Sequence, residues 1–270
     1  PAYDEDKGTG IVRHIMGRTG VHSGEIMVCI VTAVPMVPHM KELVQMLRKD
    51  VPGLTSVIQN INSRHTNVIL GNKTKVIYGS PTISDSIGDL SFRISAQSFF
   101  QVNSEQARKL YDTALSYADL KGNETVVDVY CGTGTITLFL AKRAKFAYGI
   151  EIVEPAICDA VKNARDNGVK NAHFMCGDAA YKLPELLRSG VKPDVIVIDP
   201  PRAGCEEKVL NAIASVKPKR VVYVSCNPAT LARDLAYMKT RGYETKKVQP
   251  VDMFPQTHHI EAVALLVRKR

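Results

Sequence analysis

Cys226 stands in VVYVSCNPATLARDL, after an apolar β-rich run and before Asn227-Pro228 and a helical pattern. A thiol at a helix N-terminus faces unpaired N–H groups, which favour the thiolate. An ordinary thiol is only slightly ionised at neutral pH, so such help matters to a nucleophile. The competing reading is a small buried apolar residue. Glu261 stands in FPQTHHIEAVALLV, at the head of an otherwise apolar strand. A carboxylate there is unfavourable unless used as a base of raised pKa or paired with an Arg. His258 and His259 precede it and could orient it; their spacing is not that of a metal site. Asp199-Pro200-Pro201-Arg202 follows another apolar strand, and its two prolines predict a rigid turn.

The stretch Thr125–Glu151, TVVDVYCGTGTITLFLAKRAKFAYGIE, holds a second kind of chemistry. An apolar run breaks at Gly132 and Gly134, a helical pattern follows, and a second short strand ends on Glu151. Glycines let the backbone turn sharply and approach a ligand, and an acid at that strand tip suits the two hydroxyls of a ribose. A dinucleotide fingerprint would want a third glycine where Thr137 stands. Asp128 before the loop also disfavours a pyrophosphate, so an adenosine carrying cationic groups, such as S-adenosylmethionine, fits better. Enzymes that methylate exocyclic amines carry an aromatic residue where Arg202 stands, so Arg202 would instead hold a phosphate or fix its loop.

These residues need a frame. From Thr125 onward the pattern alternates, with strands over 126–130, 147–150, 172–176, 194–199 and 220–225 and a terminal pair over 247–251 and 260–267. Helices are predicted over 155–167, 183–188, 207–214 and 228–239. Alternation of this kind argues a doubly wound parallel sheet whose ligands lie beyond the strand carboxyl ends. Tyr130, Glu151, Asp178, Asp199 and Cys226 all fall at those ends. Residues 1–100 read as a separate, smaller α/β unit, with a helix over 38–50 and strands over 28–32, 56–61, 67–70, 75–78 and 90–95. QSFFQVNSEQ links it to the catalytic domain, 101–270, and Gln101 there could hydrogen-bond a cofactor or a base edge.

With 270 residues the chain can build real cores. Thirty-five Lys and Arg against 27 Asp and Glu give +8, which favours an anionic partner. Short basic clusters, Lys142–Lys145, Lys217–Arg220, Lys246–Lys247 and Arg268–Arg270, read as a phosphate-facing surface or as solvated faces. The six cysteines form no CxxC pair, which argues against a zinc or iron–sulfur knuckle and for a reduced, cytoplasmic protein. No apolar run is long enough to span a bilayer. The polar start without an initiating Met suggests a fragment.

A nucleophilic thiol, a carboxylate base and a methyl donor point together to carbon 5 of a pyrimidine. Carbon 5 of uracil becomes nucleophilic once a thiolate adds to carbon 6, and a base must then take the carbon 5 proton. The motifs VVDVYCGTGT, IDPPRAG, VVYVSCNPATLARDL and FPQTHHIE, with FFQVN, resemble the RumA/TrmA family of RNA uridine-5 methyltransferases from about Phe92 onward. The resemblance implies a Rossmann-like S-adenosylmethionine-dependent domain, with Cys226 as nucleophile and Glu261 as general base. It places Gln101, Tyr130, Gly132, Glu151, Asp178 and Asp199 at the donor, and Gln101, Asp199 and Arg202 at the uridine. Thr135 stands where some members carry Asn. It further implies a catalytic fragment without the family's TRAM domain or iron–sulfur cluster, acting as a monomer on RNA. Ribosomal RNA of the 23S class is the expected substrate. Transfer RNA, an RNA cytosine-5 methyltransferase and an inert RNA-binding scaffold are the alternatives.

Overall fold

The computed structural model describes residues 1–269. In chain order the elements are β1 (Val12–Thr19), β2 (Ile26–Thr32), α1 (Met40–Asp50), β3 (Leu54–Ile61), β4 (Lys73–Gly79), β5 (Thr82–Ile87) and β6 (Leu90–Ser95). They continue with α2 (Ser104–Ala118), β7 (Thr125–Val129), α3 (Thr135–Ala141), β8 (Phe146–Glu151), α4 (Glu154–Asp166) and β9 (Ala172–Cys176). The last are α5 (Ala179–Arg188), β10 (Val195–Ile198), α6 (Glu207–Val216), β11 (Arg220–Ser225), α7 (Pro228–Thr240), β12 (Tyr243–Val251) and β13 (Glu261–Arg268).

Two compact units emerge: residues 1–86 with 91–100, and residues 87–90 with the chain from Gln101 onward. In the first, a four-stranded sheet has the order β1-β2-β3-β4. The β2 and β3 strands are parallel, joined through α1. Alternation along β2 sends Met27, Cys29 and Val31 to a core with Ile58, Ile83 and Ile94. Ile30 and Val57 face the other way, toward Val44 of α1. Two strands here, β1 and β5, are additional to those the pattern predicts.

The strand predicted over 67–70 does not form. Asn62 Nδ2 donates to the carbonyls of Val68 at 2.6 Å and Ile69 at 3.0 Å, so a side chain takes acceptors that a ladder would use. Val68 and Ile69 are accordingly exposed.

The second unit is a seven-stranded sheet of order β12-β13-β11-β10-β7-β8-β9. The run from β11 to β9 is parallel, and β13 pairs antiparallel with both β11 and β12. Its central strands are buried on both faces, and Val195, Ile196, Val197 and Ile198 of β10 are each fully buried. Strand order reverses between β7 and β10, because β8 and β9 follow β7 on one side and β10 and β11 lie on the other. A sheet of this kind binds ligands beyond its carboxyl ends at that switch point.

Candidate active site

The sheet register assembles the site. Ser225, last in β11, pairs with Ala262 of antiparallel β13. The next residue on each strand is Cys226 on one side and Glu261 on the other, so thiol and carboxylate stand together at one sheet end. One strand over, Asp199 follows Ile198 of β10, and its N–H donates to the carbonyl of Val129 at 3.3 Å. Ser225 and Asn227 exchange hydrogen bonds of 3.1 Å around Cys226, and Asn227 caps α7 by accepting from the Ala229 N–H at 3.0 Å.

Electrostatics here correct one expectation. Cys226 precedes the cap of α7, yet its thiol is raised above the ordinary range, not lowered. Loss of water raises it most, then the charges of Glu261 and Asp199, with Arg202 opposing. The helix N-terminus is outweighed chiefly by the loss of water around the thiol, to which the two neighbouring acids add. Those carboxylates are themselves shifted. Desolvation pushes Asp199 up to about 7, and Glu261 adds to it. Glu261, 6% exposed, is raised by burial and held back by Arg202. A carboxylate whose proton affinity is raised by burial is better suited to act as a general base. His258 and His259 pack on each other at 4.0 Å between ring centres, and the first lowers the second's pKa.

Glycine-loop geometry supplies a second half-site. Gly132 has φ of +53°, and a Cβ there would meet nothing within 4 Å, so its exposed side is open to a ligand. Glu151 bridges the loop and the segment after β8: Oε2 accepts from the Gly132 N–H at 3.2 Å and Oε1 from the Val153 N–H at 2.9 Å. Tyr130 is held at φ of +66°, an unusual conformation for a bulky residue, and its hydroxyl lies 3.5 Å from Cys205 Sγ. Under the loop, Asp128 is 1% exposed and accepts from Thr137 Oγ1 at 2.6 Å, while its Oδ1 has no partner. Burial pushes Asp128 up to about 8. Thr137, standing where a dinucleotide site has its third glycine, thus serves this buried acid. An open loop edge beside a positioned strand-tip acid fits an adenosine, whose ribose hydroxyls can donate to Glu151.

Asp178 is engaged by its own surroundings. It caps α5 by accepting from the Ala180 N–H at 2.9 Å and pairs with Lys208 at 2.9 Å, which holds it below the usual carboxylate range. Gln101 is buried, and its side chain hydrogen-bonds the hydroxyl of Tyr111. Tyr111 was not legible as a site residue. It sits in α2 at core spacing, yet the charges of Asp199, Asp128 and Glu261 all reach it. Part of the basic charge is met within the fold, as Lys142 pairs with Asp89, Lys219 with Asp194 at 3.0 Å and Lys246 with Glu244 at 2.8 Å.

The family model described as tRNA (uracil-5-)-methyltransferase matches residues 22–269. The chain belongs to this family. It is 56% identical over 99% of its length to a protein of Halalkalibacterium halodurans named as an uncharacterized RNA methyltransferase, covering 58% of that protein. It is 54% identical over 98% of its length to a like-named protein of Caldanaerobacter subterraneus, covering 59% of it. The chain therefore spans somewhat over half the length of these relatives. Among solved structures it resembles the Pyrococcus abyssi tRNA (uracil-54, C5)-methyltransferase in complex with S-adenosyl-L-homocysteine. There the TM-score is 0.80 at 30% identity, covering 98% of this chain and 62% of the other. Members of the family thus share the Rossmann-like methyltransferase architecture seen here. Among the described residues no helix is long and apolar enough to cross a membrane, and no cluster of His, Cys, Asp and Glu has the makings of a metal site.

Proposed function

We propose that this chain carries out S-adenosylmethionine-dependent methylation of carbon 5 of a uridine in RNA. The observation that carries it is the register that sets Cys226 beside Glu261, with Asp199 on the adjoining strand end. The Cys226 thiol, once ionised, adds to carbon 6, and the carbon 5–carbon 6 π electrons move toward carbon 5 and O4. S-adenosylmethionine, when bound, supplies the methyl group that carbon 5 takes. Glu261 then removes the carbon 5 proton, the C–S bond breaks, and the ring double bond re-forms as the thiolate leaves. Asp199, poised near neutral, accepts from N3–H when ionised or donates to a ring oxygen when protonated. Glu151 suits the ribose hydroxyls, with Gly132, Tyr130, Gln101 and Asp178 around the donor. Arg202 moderates the charge on Glu261 and Cys226. The target carbon is unreachable in a stacked helix, so the nucleotide must be extruded.

Ribosomal RNA is the proposed substrate, with the first unit shaping its recognition. Transfer RNA is the second reading, favoured by the likeness to the P. abyssi enzyme over 98% of this chain. The test is intact mass spectrometry after mixing the natural-length protein, S-adenosylmethionine and RNA containing 5-fluorouridine, using ribosomal and transfer RNA in parallel. Fluorine cannot leave as a proton does, so a methylated adduct on Cys226 is trapped. An adduct with one RNA class chooses between the readings. Absence of any adduct, with donor binding confirmed, sinks the mechanism.

A further inference from the structure

The loop between β10 and α6 carries Asp199 and Arg202, and its Pro201, Arg202 and Ala203 are exposed. A cavity of about 370 Å³ lies there, lined by Ala203–Glu206 of the loop, by Glu207 and Leu210 of α6 and by Arg233, Asp234 and Tyr237 of α7. Hydrogen bonds from the first two turns of α7 hold the loop. Asn227 Nδ2 donates to the Arg202 carbonyl at 3.1 Å, and Thr230 Oγ1 to the same carbonyl at 3.4 Å. Arg233 Nη2 donates to the Ala203 carbonyl at 3.0 Å. The Cys205 N–H donates to Asp234 Oδ2 at 2.8 Å, and Tyr223 Oη of β11 donates to the same oxygen at 2.6 Å. Arg233 Nε donates to Asp234 Oδ1 at 2.8 Å.

We propose that Asp234, a 1% exposed carboxylate receiving three hydrogen bonds, is a positioning residue that locks the Asp199–Arg202 loop to the strand–helix unit carrying Cys226. Asp234 joins β11 through Tyr223, α7 through Arg233, and the loop through the Cys205 N–H. Cys226 sits where β11 gives way to α7, so one carboxylate ties the thiol's frame to the loop that faces the base. The tie extends to the glycine-loop side, because Cys205 Sγ meets the Tyr130 hydroxyl. Gly204 supports the same conclusion independently. Its φ is +80°, and a Cβ there would lie 2.5 Å from Arg233 Nη2 and 2.8 Å from Asp234 Oδ2. The loop approaches the clamp so closely that no side chain fits. A charged, fully donated carboxylate is stronger and more directional than a neutral acceptor. Small displacements of positioned groups are felt strongly in rate.

The role rests on Asp199 and Arg202 facing the uridine. It is tested in the natural-length protein with Asp234→Asn, Tyr223→Phe and Gly204→Ala. Asp234→Asn keeps an acceptor but turns an N–H₂ toward donors. Gly204→Ala keeps every polar partner and only displaces them. All three should speed amide exchange within 200–206 while exchange in β7 and β8 stays at the wild-type rate. The dissociation constant for S-adenosylhomocysteine should change less than about two-fold. Adduct formation and kcat should fall roughly ten- to a hundred-fold for Asp234→Asn with KM for RNA little moved, since the reacting groups are misplaced and not removed. Tyr223→Phe, losing one donor, should fall less. Wild-type turnover in Asp234→Asn, or unchanged exchange in 200–206, overturns the proposal. So does loss of donor affinity in step with general unfolding, which would mark a merely structural residue. An inactive wild type instead overturns the uridine reading and the positioning role with it, while the exchange data still report whether the clamp exists.

Discussion

Among single residues, the thiol's surroundings set the pH behaviour. Cys226 is raised first by loss of water and then by two neighbouring carboxylates, with Arg202 opposing. Removing either carboxylate, by Asp199→Asn or Glu261→Gln, should therefore speed alkylation of Cys226 by iodoacetamide at pH 8. Arg202→Ala should slow it. Peptide mapping separates Cys226 from the exposed Cys158 and Cys176. The opposite order would refute the assigned neighbourhood. Glu261→Gln should also form the carbon 6 adduct and stall there, because the carbon 5 proton has no acceptor. Accumulated adduct by mass spectrometry checks this, and normal product release would exclude Glu261 as the base. Cys226, Glu261 and Asp199 stood out in the sequence as candidates because each lies at an end of an apolar β run. The direction of the thiol's shift was not, since its neighbours arrive from two other strands. Tyr111 hid for a related reason: its spacing with Leu110 and Ala114 is that of a core face.

For the elements, a buried acid makes the β7–α3 unit sensitive to pH. Asp128 titrates at about 8 in the fold, against 3.8 ordinarily. A raised acid favours the folded state fully below the ordinary value, and that contribution is lost as pH rises toward about 8. Melting temperature should consequently fall between pH 5 and pH 9, and Asp128→Asn should flatten that fall. An equally steep fall in the variant would locate the effect elsewhere. In the first unit, Asn62→Ala should release Val68 and Ile69 and make residues 63–70 cleave sooner under limited proteolysis, since two carbonyls lose their donor. Unaltered cleavage would mean that the amide does not hold the segment. The parallel strands were readable as continuous apolar runs. β5 was not, because Asp85 occupies one of its buried positions, accepting from the Val21 and His22 N–H groups at 3.0 and 2.9 Å. β1 was not, because VRHIMGRT mixes basic and apolar residues on a sheet edge.

At the scale of the whole molecule, a net charge of +8 should make RNA binding fall steeply with salt. Each phosphate neutralised contributes a slope of about 0.7 to 0.9 in log affinity against log salt. Pairs such as Lys219–Asp194 and Lys246–Glu244 should reduce that slope below what the Lys and Arg count suggests. Filter binding from 50 to 300 mM salt measures it, and a flat response would reassign the clusters to solvent. The sheet itself has a further consequence. β12 closes one margin, and from Glu244 to Pro250 every residue is exposed. That free margin displays Glu244, Lys246 and Lys247, a register break between Thr245 and Lys247, and a proline lacking an N–H. A second sheet sliding alongside would have to desolvate charged side chains and would meet a kink and a missing donor. The margin of the seven-stranded sheet thus carries features that discourage edge-to-edge pairing.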